Sequence, residues 1–401
     1  MARKLQADEW LFAATLGLAL FGVVMVYSAS ADLAFADKND QYYFVKRQAI
    51  WTVAGLIAMM GAMHFDYGWL RNRRVVIAML AATVVMLMAV FAFPRINGAH
   101  RWIRFAGMSL QPSELSKLVL AIFLARFLER RAGEEHSLWK TFVPCVGVTG
   151  LLIMLVAAEP DLGTAMMLGV ICVVLLYTAG ARLLHLGVIG ATGLVGIVLM
   201  IVLFLWCMGR VTAFLDPFAD AQGTGFQVVQ SLIAVGSGGT NGLGFAQGRQ
   251  KMLFLPFAHS DFIFAVVGEE LGLVGALTLV AVFGLFLWRG VRAARRAPDR
   301  FGMLLGLGIV TGIVAQALFN MSVVISIVPT KGIPLPFISY GGTSMLLTLV
   351  SVGVLLNISQ QGTAQGDAVA RGGFEPTQTP PPTPRRQRAP VAQTWRPEGR
   401  S

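Results

Sequence analysis

Long apolar runs recur along the chain and limit what it can fold into. About ten of them hold roughly 18 to 25 residues, enough for a helix to cross a hydrocarbon core of about 30 Å. Backbone polar groups in lipid must be satisfied within their own segment, so these runs predict helices. The alternating segments of about ten residues that a membrane barrel needs are absent. The predicted fold is an all-α polytopic membrane protein, with spans at 10–29, 48–65, 74–93, 111–128, 141–158, 162–180, 184–206, 262–288, 302–327 and 335–358.

Charged residues separate these spans and indicate their orientation. Only 13% of the 401 residues are charged, against about 25% in soluble domains. The net charge of +11 does not indicate a nucleic-acid partner, because the cations fall in alternate connections, as the positive-inside bias of membrane proteins predicts. Both termini are therefore expected in the cytoplasm. The connections predicted to be cytoplasmic carry Arg71, Arg73 and Arg74, then Arg130, Arg131 and Lys140, then Arg182, then Arg289, Arg292, Arg295, Arg296 and Arg300.

This pattern divides the chain into three parts. Residues 1–9 form a short cytoplasmic leader, and residues 10–360 form the transmembrane domain. A large extracytoplasmic loop at 207–261 separates predicted helices 7 and 8, with a short amphipathic helix expected at about 224–236 because Phe226, Val229 and Ile233 share one face. Residues 361–401 are polar and rich in proline and arginine, so a disordered cytoplasmic tail is expected, with arginines that can touch anionic membrane lipid.

The large loop is the first candidate for the functional site of the molecule. It holds eight glycines between residues 223 and 248, which let a backbone approach a ligand closely or adopt a positive φ. Arg249, Lys251, His259 and Asp261 follow at the edge of the next span. Asp261 has two interpretations: a helix cap, a position for which Asp is favoured, or a functional carboxylate at the level of the lipid headgroups.

A second extracytoplasmic connection, residues 94–110, carries Arg95, Arg101 and Arg104 on the face that should be poor in cations. Guanidinium groups make paired hydrogen bonds with phosphate, which favours phosphate binding by these arginines. The alternative is that a short extracytoplasmic loop tolerates a few cations, and the sequence leaves both interpretations open. Glu114 and Lys117 then lie three residues apart on one helix face. Ionisable residues at such depth face a bundle interior or a water-filled cavity, either as a packing pair or as substrate contacts.

Two carboxylates flank a proline between predicted spans five and six. Pro160 and Gly163 are explained by a turn, but Glu159 and Asp161 are not. The pair can bind a divalent cation or orient the extracytoplasmic arginines, and the sequence leaves both interpretations open.

Five motifs together resemble the SEDS family of bacterial polytopic peptidoglycan glycosyltransferases, and the resemblance covers residues 10–360. The segments PTKG at 329–332 and YSAS at 27–30 are more similar to the division branch of that family than to its elongation branch. Ser260 and Thr343 depart from the residues that the family often has there. The five motifs are RWIRFAGMSLQPSELSKL (101–118), EPDLGTAM (159–166), GFQVVQSLIAVGSGGTNGLG (225–244), HSDFIFAVVGEELG (259–272) and PTKGIPLPFISYGGTS (329–344).

The resemblance implies a substrate, partners and a location. Asp261 matches the family's essential extracytoplasmic carboxylate, and the substrate is lipid II, a disaccharide-pentapeptide carried on undecaprenyl pyrophosphate. The expected partners are a class B penicillin-binding protein, which is a transpeptidase, and other membrane proteins of the division complex. The expected location is the bacterial cytoplasmic membrane at the division septum, with polymerisation on its outer face.

The chemistry of such a transfer needs few groups. The incoming hydroxyl needs a base, whereas the pyrophosphate already leaves as a stable anion, so one carboxylate with cations suffices where glycoside hydrolysis uses a pair. Asp261 is the predicted base, with Arg249, Lys251 or an arginine of the 94–110 connection on the pyrophosphate. A bound Mg²⁺ or Mn²⁺ can share the charge. Glu114, Lys117, His259 and Lys331 complete the predicted substrate contacts.

Two other functions remain open from the sequence. A transporter or flippase for a polyprenyl-linked sugar would use Glu114, Lys117 and the proline-broken segment 329–344 as a polar path. A scaffold without catalysis would only activate the transpeptidase. A carboxylate at the extracytoplasmic boundary favours catalysis, because a transporter places its essential charges near the membrane midplane.

Overall fold

Twelve helices and one small hairpin make up the part of the chain that the computed structural model describes, which is residues 7–95, 98–105, 108–203, 205–252 and 254–370. The hairpin pairs strands β1 (Ile103–Phe105) and β2 (Met108–Leu110) in antiparallel register. The helices are α1 (Glu9–Lys38), α2 (Tyr43–His64), α3 (Arg73–Ala89), α4 (Pro112–Arg130), α5 (Val143–Ala158), α6 (Leu162–Ala179), α7 (Leu183–Leu203), α8 (Leu205–Leu215), α9 (Phe226–Gly238), α10 (Ile263–Arg295), α11 (Arg300–Val324) and α12 (Gly342–Ala370).

Ten of these helices coincide with the ten predicted spans, so the all-α polytopic fold is confirmed. Eight of the ten are long and apolar enough to cross a membrane on length and composition alone. Helices α2 and α4 are the other two. Helix α4 carries five charged residues, Glu114, Lys117, Arg126, Glu129 and Arg130, and it is placed in the bundle by its neighbours rather than by its hydropathy.

Helices α4, α6, α10 and α11 form the centre of the bundle, and α11 is the most enclosed of the candidate spans. Small residues let these helices approach closely, as is usual in membranes. A Cβ atom on Gly308 would lie 2.9 Å from the Cβ of Ala121, and one on Gly306 would lie 2.8 Å from the Cβ of Ala294. Helix α7 is mostly exposed and packs mainly against α6 and α8.

The glycine-rich part of the large loop is folded against a kink in α10. Gly272 has φ of 66°, which interrupts α10. The amide of Leu243 donates to the carbonyl of Glu269 at 3.0 Å, and that of Gly244 donates to the carbonyl of Glu270 at 3.0 Å. Gly242 approaches the Glu270 carbonyl so closely that a Cβ would overlap it. In this structure, the close approach that the glycines permit is to α10 itself.

Three boundaries differ from the prediction or refine it. The predicted loop at 207–261 begins inside α8, which continues to Leu215. The predicted amphipathic helix is confirmed as α9 (Phe226–Gly238). Helix α12 starts at Gly342, because Pro329, Pro334 and Pro336 keep the preceding segment irregular, and it continues to Ala370, ten residues beyond the predicted end of the transmembrane domain at 360. The tail predicted to be disordered began at 361, which is wrong for residues 361–370, and its remainder from 371 onward lies outside the described residues.

Candidate functional site

Asp261 lies between the glycine-rich loop and α10, at the end of the bundle that we call the loop face. Helix α10 begins at Ile263, and its N-cap is Phe262, which makes no capping side-chain hydrogen bond. The helix-cap interpretation of Asp261 is therefore wrong. No hydrogen bond to the Asp261 carboxylate is present among the described residues, and the residue is partly exposed.

Two arginines supply positive charge to this carboxylate. Arg101 is held near it because its Nε donates to the Glu159 carbonyl at 3.4 Å and its Nη2 donates to the Pro160 carbonyl. Arg210 comes from α8, and its Nη1 donates to the Thr330 carbonyl at 3.4 Å. Both arginines interact electrostatically with Asp261. An anion bound at the loop face beside Asp261 would therefore meet two guanidinium groups.

The ionisation of Asp261 suits a group that exchanges protons. Burial raises the pKa of Asp261 to about 6, and the nearby Asp161 carboxylate adds to the rise, while Arg101 and Arg210 oppose it. The side chain is consequently ionised at neutral pH but takes up a proton more readily than an ordinary aspartate. A pKa near the working pH is what general base catalysis requires.

Asn320 of α11 and Gly332 of the irregular segment between α11 and α12 position Asp261. Asn320 of α11 donates from Nδ2 to the carbonyls of Asp261 and Ile333, each at 2.7 Å. A Cβ on Gly332 would lie 2.9 Å from Oδ2 of Asp261 and 3.9 Å from Nη1 of Arg101. Only a residue without a side chain leaves this space between the carboxylate and the guanidinium.

The other acids of this region are enclosed. Lys251 Nζ lies 2.7 Å from Oε1 of Glu270 and donates to the hydroxyl of Ser28 at 2.8 Å. The side chains of Lys251 and Glu270 are 4% and 0% exposed. The carboxylate of Glu269 accepts the amides of Arg249 and Gln250 at 2.7 and 3.1 Å. The loop thus closes over both glutamates of α10, so neither can contact a substrate.

The family of the chain follows from its similarity to known proteins. Residues 9–364 match the FtsW/RodA/SpoVE family, which is described as "Cell cycle protein". The chain belongs to this family. Stage V sporulation protein E of Bacillus subtilis is 40% identical over 362 residues, which cover 89% of this chain and 98% of that protein. A probable peptidoglycan glycosyltransferase FtsW of Geobacter metallireducens is 43% identical over 351 residues, covering 85% and 92%.

Solved structures confirm the FtsW/RodA/SpoVE fold. One chain of a structure described as "Structural coordination of polymerization and crosslinking by a peptidoglycan synthase complex" is 28% identical, with a TM-score of 0.73 over 89% of this chain and 99% of that one. Thermus thermophilus RodA is 24% identical, with a TM-score of 0.65 over 89% and 98%. The resemblance to the SEDS family is confirmed, and the relatives named FtsW agree with its division branch.

The predicted arginines of the 94–110 connection separate into two groups in this family member. Arg101 lies at the site, whereas Arg104 is exposed on β1 and Arg95 is exposed, with its Nε 2.9 Å from Nε2 of His100. The structure gives no contact of Arg95 or Arg104 with the Asp261 carboxylate among the described residues. Their contact with a substrate stays a prediction.

Arg249 and Lys251 of the large loop are also separated. Arg249 is exposed, and only its backbone amide is engaged by Glu269. Lys251 is buried in the pair with Glu270. The structure therefore assigns Lys251 to the closure of the loop over α10, and this placement argues against the predicted contact of Lys251 with a pyrophosphate.

Glu114 and Lys117 lie deeper, between α4, α11 and α12. Lys117 Nζ is 2.8 Å from Oε1 of Glu114 and also donates to Gln316, while Ser344 donates to Oε2 of Glu114 at 2.8 Å. A cavity of about 40 Å³ adjoins this network, which is room for a few water molecules. All of these charges have partners, so the geometry favours a packing role.

His259 lies two residues before Asp261, and Lys331 precedes Gly332, which adjoins the Asp261 carboxylate. The His259 ring packs against Phe44 and Tyr340, with ring centroids 4.9 and 5.7 Å away. Burial lowers the pKa of His259 to about 4, so the ring is neutral at physiological pH. Lys331 is partly buried beside Gly332. Contact of either residue with substrate stays a prediction.

The geometry of Glu159 and Asp161, the residues proposed for a metal, lends no support to a cation site. Burial raises the pKa of Glu159 to about 9, and Asp161 adds to the rise, so Glu159 is protonated at neutral pH. Asp161 caps α6, where it accepts hydrogen bonds from Thr164, Ser113 and Gln111. Among the described residues, no group of three or more His, Cys, Asp or Glu side chains can hold a metal ion. The predicted Mg²⁺ or Mn²⁺ finds no support in this pair.

Sequence reasoning missed Arg210, Asn320 and Gly332 as parts of the site. Arg210 falls within the predicted loop at 207–261, but it belongs to α8. An asparagine inside an apolar span was a usable signal, because a polar group at that depth requires a partner. Gly332 lies in the quoted PTKG motif, and only the fold shows that its missing side chain faces Asp261.

Proposed function

We propose that this FtsW/RodA/SpoVE protein is a peptidoglycan glycosyltransferase that polymerises lipid II, with Asp261 as general base. Relatives at 43% identity carry the name probable peptidoglycan glycosyltransferase FtsW. The observation that carries the proposal is the Asp261 carboxylate itself. It is partly exposed, has a pKa near 6 and lies close to two arginines.

The bond changes follow from this geometry. The hydroxyl oxygen of the acceptor sugar attacks the donor sugar carbon that bears the pyrophosphate, and the hydroxyl proton moves to a carboxylate oxygen of Asp261. The bond from that carbon to the pyrophosphate oxygen breaks, and the electron pair leaves with the undecaprenyl pyrophosphate. Arg101 and Arg210 stabilise this anion through charge-assisted hydrogen bonds. The proton later leaves Asp261 to water, which restores the base.

The orientation and partner are part of the proposal. The arginines that follow α10, and those between α2 and α3, lie at the end of the bundle opposite the loop face. The positive-inside bias therefore puts the loop face, with Asp261, outside the cytoplasm. A relative in a peptidoglycan synthase complex, whose description couples polymerization to crosslinking, supports a class B penicillin-binding protein as partner. The name FtsW supports a role at the division septum.

The transporter alternative depends on the Glu114 and Lys117 network. A transport path would need charged groups that become available to a cargo, yet Glu114, Lys117, Gln316 and Ser344 are bound to one another. Asp261, by contrast, lies at one end of the bundle rather than at its middle. The open acid at the loop face therefore favours the glycosyltransferase.

Polymerisation of purified lipid II by the purified chain, alone and with its class B penicillin-binding protein, tests the proposal. Glycan strands on a gel are expected from the wild type and from Asp216→Asn, a control at an exposed loop aspartate whose carboxylate accepts two backbone amides at 3.2 Å. Asp261→Asn should form strands about 10² to 10⁴ times more slowly than the wild type. If strands never form with either preparation while lipid II crosses liposome membranes, the chain is a transporter. If the chain neither forms strands nor moves lipid II across liposome membranes but still activates the transpeptidase, the scaffold function is the one that remains.

A further inference from the structure

A second polar cavity opens at the end of the bundle opposite Asp261. Its volume is about 260 Å³, and it lies between the first turn of α1, the last turns of α10 and Ser359 of α12. The residues that line it and matter here are Asp8, Glu9, Trp10, Arg289, Arg292 and Arg296. The proposed transfer reaction uses none of them.

An ion pair forms the floor of this cavity, and two further arginines in its lining take no part in that pair. Arg289 and Asp8 form a forked ion pair, with Nη2 2.7 Å and Nε 3.0 Å from the carboxylate oxygens. Their side chains are only 16% and 9% exposed. The guanidinium groups of Arg292 and Arg296 have no hydrogen bond or ion pair with the described residues. Glu9, which is exposed in the first turn of α1, also lines the cavity, so the described lining holds two arginines without a described partner and one exposed carboxylate.

The surroundings of the cavity are typical of the membrane boundary. Trp10 and Trp288 are 62% and 60% exposed, although both are large and apolar, and tryptophan concentrates at the level of lipid headgroups. The guanidinium group of Arg289 lies 5.6 Å from the centre of the Trp288 ring. At this level of a membrane, anions are supplied by the headgroups of anionic lipids.

We propose that this arginine cavity binds the phosphodiester group of an anionic membrane phospholipid. Two guanidinium groups with free donors match the oxygens of a phosphate, and basic pockets between transmembrane helices take lipid headgroups in this way. The buried Arg289 and Asp8 pair fixes the position of the floor, and the exposed tryptophans hold the glycerol and upper acyl region. The site also joins α1 to the end of α10 and to α12, so bound lipid stabilises the fold.

The test measures lipid binding to the purified full chain. Native mass spectrometry detects retained lipid, and the melting temperature in detergent reports stabilisation. The probes are dioleoyl phosphatidylglycerol, dioleoyl phosphatidylcholine and inorganic phosphate. Phosphatidylglycerol should be retained and should raise the melting temperature more than phosphatidylcholine. Arg292→Gln should weaken phosphatidylglycerol binding about fivefold, the effect of one cation near a membrane surface. Arg296→Gln is a second variant with the same expectation.

Arg295→Gln is the matched control, because it removes the same charge from the same helical turn but does not line the cavity. It should change binding less than twofold on the same scale. Equal weakening by Arg292→Gln and Arg295→Gln would show diffuse attraction and overturn the site. A full stabilisation by inorganic phosphate alone would show a free-anion site instead of a lipid site. Equal retention of phosphatidylglycerol and phosphatidylcholine by the wild type would also contradict the proposal.

Discussion

Asp261 and Glu270 lie nine residues apart in one stretch of chain, yet their surroundings are opposite. Glu270 has a side chain with no exposed surface and accepts hydrogen bonds from Lys251, Ser28 and the amide of Ala246. Asp261 has no such partners among the described residues, and its two arginines are themselves held by backbone carbonyls. The loop encloses the Glu270 carboxylate, whereas the Asp261 carboxylate lies just outside the enclosed region.

This difference separates stabilisation from reactivity. A buried ion pair cannot lose or gain a proton without leaving a charge uncompensated, so it fixes structure. An acid whose pKa is raised by burial and moderated by nearby cations can exchange a proton near neutral pH. The sequence indicated the glycine-rich loop as the ligand-binding part. In the structure, this loop encloses the two glutamates of α10. The catalytic candidate is the residue at its end.

The largest expected effect is that of Asp261→Asn on rate. The amide keeps the shape of the side chain but cannot take up a proton, so polymerisation should fall by about 10² to 10⁴. Melting temperature and lipid II binding should stay near wild type, because the carboxylate makes no hydrogen bond with the described residues. Initial rates with purified lipid II measure this. A mutant rate above about a tenth of wild type would remove Asp261 from the base role.

The complementary change, Lys251→Ala, should act on stability. It leaves Glu270 charged and enclosed, which costs about 3 to 5 kcal/mol, and the melting temperature in detergent should fall accordingly. The double replacement Lys251→Met with Glu270→Leu should recover most of the loss, because a buried pair can often be replaced by apolar residues. Arg249→Ala, at an exposed neighbour, is the control. Unchanged melting of Lys251→Ala with lost polymerisation would mean that the pair is part of the active site.

Arg210→Gln should have a smaller effect on rate with a diagnostic dependence on pH. Arg210 holds the pKa of Asp261 down, so its removal should move that pKa above about 6 and shift the acid limb of the rate profile to higher pH. The rate at neutral pH should fall about 10- to 100-fold, because a cation on the leaving group is also lost. A drop in rate with no displacement of the acid limb would place Arg210 away from Asp261.

The smallest effect is expected from Arg104→Ala. Arg104 is exposed on β1, and its charge is screened by solvent, so the polymerisation rate should change less than about threefold. Arg101→Ala should cost at least tenfold on the same assay, because Arg101 interacts with Asp261. Comparable losses in the two variants would mean that the arginines of this connection act as one diffuse patch.

The ten spans and the short helix α9 could be predicted because hydropathy and local spacing determine them. The site could be predicted only in part. Asp261 and Arg101 came from their positions and from the motifs, but the pairing of Lys251 with Ser28 joins residues 223 positions apart. No local pattern reveals such a contact. The placement of Arg210 likewise depends on α8, which lies within the predicted loop and brings it to the Thr330 carbonyl.

The dependence of rate on pH in the wild type and in Asp261→Asn tests the central claim most directly. At lipid II concentrations well below saturation, where the rate reports the ionisation of the free enzyme, the wild-type rate should rise about tenfold per pH unit up to the Asp261 pKa of about 6 and level off above it, because the base must be ionised to accept a proton. The neighbours His259 and Glu159, with pKa values of about 4 and about 9, titrate outside that window. The residual rate of Asp261→Asn should be flat between pH 5 and 7 on the same reasoning. An acid limb that persists unchanged in Asp261→Asn would contradict the account.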